Sequence, residues 1–169
     1  GSYYVQDVRY KFPDEVEDEA LDTQKYILAQ KQTCYDQGVR YGGVDTYSAV
    51  EHLFEVIESS PATSSRPADY IDAHSIEYWE LMYYGDYTLQ YIFSKFHLEG
   101  NQTGLRGQLM RIALDDLAPE AQLQLHAETG QAYFDEWRAS AIRVSEQHDM
   151  DWIKANQPAI WLLLQMIDE

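Results

Sequence analysis

Apolar residues recur at helical spacing along most of the chain. From Pro13 to Gln37, Val16, Ala20, Thr23, Ile27 and Cys34 fall on one stripe, the repeat of an amphipathic helix. Its opening, "PDEVEDE", places a proline and then acids in the first turn, which suits the positive end of the helix dipole. Gly38 is a stop signal. A second helix is expected from the N-cap residue Asp45, with Tyr47, Val50, Phe54 and Ile57 inward. "SSPATSSRP", residues 59 to 67, has two prolines and four serines, so it predicts a mobile loop near 59–68 without core contact.

Beyond the loop the stripes resume. Ile71, His74, Tyr78 and Leu81 share one face, "GD" at Gly85-Asp86 breaks the pattern, and Leu89, Ile92, Phe93 and Phe96 share the next. "EGNQTG" (99 to 104) is another break, followed by Leu105, Leu109, Ile112, Ala113 and Leu117. A longer helix is expected to open at Ala118-Pro119 and run towards His148, with Leu125, Ala132, Trp137 and Val144 inward. The last has Pro158 in its first turn and a stripe of Ile160, Trp161, Leu164 and Ile167. Only "DVRYKF" alternates like a strand, and it has no partner. The expectation is an all-α fold of about six to seven helices: a single-domain antiparallel helical bundle or a short stack of helical hairpins over residues 3–169.

At 169 residues the chain is long enough to bury a core. Charge narrows the choice of function. The 29 acids outnumber 12 bases, for a net charge of −17, and the excess is spread: 16 acids and 6 bases up to Tyr84, 13 and 6 after it. Such a field repels nucleic acid and anionic membranes and attracts basic partners. No direct nucleic-acid binding is expected. "AIWLLL" is far too short to span a membrane. The single cysteine, Cys34, excludes an intramolecular disulfide framework.

The first residues bear on handling. Gly1-Ser2 reads as a cloning remnant, and Tyr3-Tyr4 follows without an initiator methionine. Two readings stay open, a trimmed N-terminal signal or anchor and the removal of a floppy N-terminus; the localisation is left open, an extracytoplasmic (periplasmic) setting in a bacterial cell being favoured over a cytoplasmic one.

Candidate chemistry is thin. His52 with Glu55 and His74 with Glu77 are H-x-x-E pairs, the second with Glu80 a further turn on, that could offer a metal nitrogen and oxygen ligands. Carboxylate-bridged di-iron bundles use Glu-x-x-His instead, and that order occurs nowhere here. Cys34 ends a helix, where the dipole disfavours a thiolate. There is no G-x-S-x-G elbow, and "GLRGQL" lacks the Lys-Ser/Thr of a phosphate loop. Asp115-Asp116 and Asp135-Glu136 are adjacent pairs, whose side chains diverge on a helix. "NQT" at 101 is a sequon that matters only in a secretory eukaryotic setting. No cofactor, metal or catalytic group is expected.

Two features point to a partner. "DEVEDEALD" packs six acids into nine residues; Glu15, Glu17, Asp18 and Glu19 are a solvated helix start or a lure for a basic surface. "SIEYWELMYYGDYTLQYIFSKF", residues 75 to 96, holds five tyrosines, a tryptophan and two phenylalanines. One core stripe cannot take all of them. Tyr83, Tyr84, Tyr87 and Tyr91 are left for other faces, at least two of them partly exposed, and tyrosine is favoured at interfaces. The expectation is a non-enzymatic acidic protein-binding domain, an inhibitor or immunity-type protein that neutralises a toxic effector or enzyme by docking on its basic surface. The alternatives are a DNA mimic that blocks a nucleic-acid-binding enzyme, and a metal-binding helical enzyme or carrier using the His/Glu pairs.

Overall fold

Helices begin where the sequence supplies a start signal and end where glycine or a cap interrupts them. The computed structural model describes residues 46–63 and 66–168, and among these the protein is all-helical, with no strand. Eight α-helices are present among the described residues: α1 (Thr46–Glu58), α2 (Pro67–Ala73), α3 (Ser75–Tyr84), α4 (Asp86–Phe93), α5 (Leu105–Leu117), α6 (Gly130–Gln147), α7 (Met150–Asn156) and α8 (Pro158–Ile167). A π-helical turn, Ser94–Glu99, continues α4, and a 3-10 turn, Pro119–Ala121, follows α5. The expected helix over 13–37 and the "DVRYKF" segment lie outside the described residues.

The described residues divide at Thr88/Leu89, within α4, into two compact units. In the first, α1 packs on α3 and α2. Val50, Leu53, Phe54 and Ile57 of α1 and Tyr70, Tyr78, Trp79, Leu81 and Met82 are buried there. Tyr47 is not inward as its spacing suggested. It is 46% exposed, and Thr46 and Leu53 are buried instead. The expected run through His74 is broken: His74 caps both α2 and α3 with non-helical angles. The near side of the 59–68 loop makes a side-chain contact with the helices. Ser60 Oγ lies 2.8 Å from His74 Nε2, and Pro67 and Ala68 already belong to α2.

Gly85 separates α3 from α4 at φ 57°, ψ −113°, a region essentially open to glycine alone. Its N–H donates to Met82, and the buried Thr88 hydroxyl donates to Leu81 O at 2.6 Å. The "GD" break is thus a one-residue hinge between helices, closed by Thr88.

The second unit is built around α6, which packs against α5, α8 and α7. Its centre is a ring cluster. Phe96 stacks on Phe134 at 4.9 Å between centroids, and Phe93 lies 5.5 Å from Trp137. The expected helix from 118 to 148 is corrected: after the 3-10 turn, residues 122–129 are not helical, and α6 starts at Gly130. Thr129 is its N-cap, accepting from Ala132 N at 3.0 Å. Ala132 is consequently exposed and Val144 only half-buried, while Tyr133, Phe134, Trp137 and Ala141 form the inner face. Asp149 caps a separate α7 by accepting from Trp152 N at 2.8 Å. These extra breaks raise the helix number above the expected one.

Candidate protein-docking face

The four tyrosines separate by burial. Tyr84 is 5% exposed and Tyr91 2%, so both rings are core. Tyr91 is also held by polar contacts of the second unit. Arg106 Nη1 donates to its hydroxyl at 2.8 Å, and Lys95 Nζ sits 5.6 Å above its ring. Tyr83 and Tyr87 remain half-buried. Tyr83, in the last turn of α3, has its ring 5.2 Å from that of Trp79 one turn earlier. Burial pushes its phenol pKa above the ordinary value, so it stays a neutral donor at any physiological pH. Tyr87 occupies the first turn of α4 beside Asp86. Adjacent helical positions diverge by about 100°, which is why Tyr83 and Tyr84 take different fates.

Charge in the described part of this unit is one-sided. Residues 46–63 and 66–88 contain Glu51, Glu55, Glu58, Asp69, Asp72, Glu77, Glu80 and Asp86 against Arg66 alone, eight acids to one base, or −7. Arg66 Nε is itself 4.0 Å from Asp69. Glu80 is buried, Glu55 and Asp72 are exposed, and the other five are half-buried. Glu15, Glu17, Asp18, Glu19 and Cys34 lie outside the described residues.

The histidine pairs do not converge. His52 and Glu55 are exposed on α1. His74 directs Nδ1 to Glu77 Oε1 at 3.6 Å and Nε2 to Ser60. Among the described residues no group of three or more His, Cys, Asp or Glu is placed to hold a metal ion.

The carboxylate pairs part as helical geometry requires. Asp116 is exposed, while Asp115 turns inward on α5. Tyr133 donates its hydroxyl proton to Asp115 Oδ1 at 2.5 Å and accepts from Leu123 N at 3.0 Å. Arg111 Nε is 3.8 Å from Asp115 Oδ2, and its guanidinium lies 4.5 Å from the Tyr133 ring centroid. Burial raises the Asp115 pKa, against the lowering by Tyr133, Arg111 and Gln122. Burial and the bond to Asp115 push Tyr133 up to about 12. This network pins the non-helical segment to α5 and α6. No spacing in the sequence announced it, because its members come from three separated segments.

Two consequences can be measured. Tyr133→Phe removes both bonds of the hydroxyl, to Asp115 and from the Leu123 N–H, which is expected to cost about 1–3 kcal/mol. A lower urea midpoint at unchanged slope checks it. With the Asp115 pKa raised in the folded chain, the folded state retains a proton that the unfolded state has already released. Stability therefore falls as pH rises from the ordinary carboxylate pKa through the higher folded one. Asp115→Asn should flatten that part of the stability-pH curve, and an unchanged slope would contradict it.

On the other side of α6, Arg138 Nη1 donates to His97 Nδ1 at 3.1 Å and Nη2 to Asp135 at 3.2 Å. Burial, then the Arg138 charge, lowers the His97 pKa, so its ring stays neutral and accepts from Arg138. Asp135 and Glu136 are both exposed. Asn101 of the sequon is exposed with φ 59° in the loop after Gly100.

No helix among the described residues is long and apolar enough to cross a membrane. In comparisons with known proteins, no family model, no curated protein and no solved structure matches the chain.

Proposed function

We propose that the protein is a non-enzymatic protein-binding domain, an inhibitor or immunity-type protein that neutralises a toxic effector or enzyme by docking on its basic surface. The observation that carries this reading is the pairing of two half-buried rings, Tyr83 and Tyr87, with a described stretch of eight acids to one base. The acids speed encounter with a cationic surface, and the rings set how long the complex lasts. Tyrosine fits that second task because it offers a large contact area, few rotamers and a polar tip. The antiparallel bundle or hairpin stack expected from the short connections is the scaffold this reading assumes.

Affinity capture from the native cell, with the wild-type chain and the Tyr83→Ala/Tyr87→Ala variant as paired baits, tests it. A basic protein retained by the first and depleted from the second is the expected result. Equal capture by both baits contradicts it. Release of the captured protein by duplex DNA would instead favour a DNA mimic.

A further inference from the structure

The segment between the 3-10 turn and α6, "QLQLHAET" (122 to 129), is non-helical and, among the described residues, pairs with no other segment. Burial alternates through it: Leu123, Leu125, Ala127 and Thr129 are half-buried, and Gln122, Gln124, His126 and Glu128 are exposed. That is the period of an extended strand lying flat on a core. Backbone angles at its two ends are extended as well, φ −62°, ψ 131° at Gln122 and φ −130°, ψ 160° at Thr129.

Both ends are anchored. Leu123 N donates to the Tyr133 hydroxyl, and Glu128 O accepts from Gln108 Nε2 at 2.9 Å. Between these anchors, the peptide groups of Gln124 to Ala127 make no hydrogen bond among the described residues. In an extended chain the N–H and C=O of one residue point to the same edge, and successive residues alternate. Since Leu123 faces Tyr133, the peptide groups of Gln124 and His126 face the opposite edge, which the bond from Gln108 to the Glu128 carbonyl closes at its far end.

Folded proteins guard such edges with lysine, proline, inward charge or a bulge. Residues 122–127 contain no proline, no glycine and no Lys, Arg, Asp or Glu. We infer that this edge is a docking site for an extended strand of a cationic protein partner, added by main-chain hydrogen bonding to Gln124 and His126.

Charge selects the occupant. Residues 112–137 carry six acids and no Lys or Arg, with exposed Glu128 at the end of the strand. The flanking bases are engaged, Arg111 on Tyr133 and Asp115, Arg138 on His97 and Asp135. A net charge of −17 also opposes pairing with a second copy of the chain. This inference rests on backbone geometry in the second unit and stands independently of Tyr83 and Tyr87.

The test uses the peptide Lys-Thr-Val-Thr-Val-Thr-Val-Lys and its counterpart with glutamates at both ends, capped at their termini. The lysine peptide should bind saturably and slow exchange of the Gln124 and His126 amides by about tenfold or more, the glutamate peptide far less. His126→Pro removes one ladder donor where an extended backbone accepts proline, and should weaken binding by about tenfold, while His126→Ser retains it. Exchange on the wild-type chain decides the matter should the proline variant fold poorly. No saturable binding up to about 1 mM, unchanged exchange at both amides, or equal binding of the two peptides overturns the inference. So does a dimer of the chain that His126→Pro abolishes, which would put a second copy on the edge.

Discussion

Gly130→Ala is expected to destabilise the protein by about 3 kcal/mol or more, well above the common range for an exposed helix start. Gly130 opens α6 directly against Gly107 of α5, where a methyl group would run into the Gly107 carbonyl and lie 2.9 Å from its Cα. Neither backbone can move cheaply. Gln131 N donates to Gln102 O at 3.1 Å, and Gln102 N donates back to Gln131 Oε1 at 3.0 Å, clamping the 100–104 loop to the same place. Gln131 Nε2 also reaches Phe96 O at 3.1 Å. A shift of α6 would therefore disturb the ring cluster as well. Gly104 is the control. A Cβ there meets nothing within 4 Å, so Gly104→Ala should change stability by less than about 1 kcal/mol, since the cap preference and backbone entropy oppose each other. Urea unfolding of both variants measures the contrast, and equal effects would show that the helix crossing tolerates expansion.

The second large effect concerns binding. Tyr83→Ala and Tyr87→Ala should each weaken the complex with the basic partner by about 1–4 kcal/mol, mostly through faster dissociation. Both rings are half-buried, so part of each is available to a partner and part is fixed by its own unit. The loss on truncation is then an interface loss with a smaller folding cost. Tyr84→Ala and Tyr91→Ala should behave oppositely. Their rings are core, and removing them should first lower the free energy of unfolding, by about 3–5 kcal/mol. A Tyr83→Ala/Tyr87→Ala chain that folds normally and keeps full affinity would remove the rings from the docking face.

The stripes of Val50, Phe54 and Ile57, of Leu89, Ile92, Phe93 and Phe96, and of Leu109, Ala113 and Leu117 were legible because each is a helical repeat, and the structure buries these ten, while Leu105 and Ile112, expected on the last stripe, are only half-buried. Proline marked the start of α8 correctly. Where the segment is apolar on every side, periodicity cannot choose. In "AIWLLLQMI" the structure buries Ala159 and Leu163 fully and leaves Trp161 and Ile167 half-buried. The π-helical turn shifts the register after Phe93, so Phe96 is buried while Leu98 is 65% exposed.

The largest departure from the expected helices is the non-helical segment 122–129. Ala118, Leu125 and Ala132 are spaced by sevens and imitate a helix, which outweighed the plain alternation of "QLQLHA" and the Thr129-Gly130 start signal. The candidate docking face was legible only in composition. Tyr83 and Tyr84 are adjacent and chemically identical, so only the three-dimensional packing of α3 separates the half-buried ring from the core ring.

The association rate with the captured basic protein, measured at about 20 mM and about 500 mM salt, tests the central claim most directly. The acidic surface predicts a rate that falls by about tenfold or more at the higher salt, while the Tyr83→Ala/Tyr87→Ala chain shows the same fall with faster dissociation at both. An association rate indifferent to salt would contradict electrostatic docking on a basic surface.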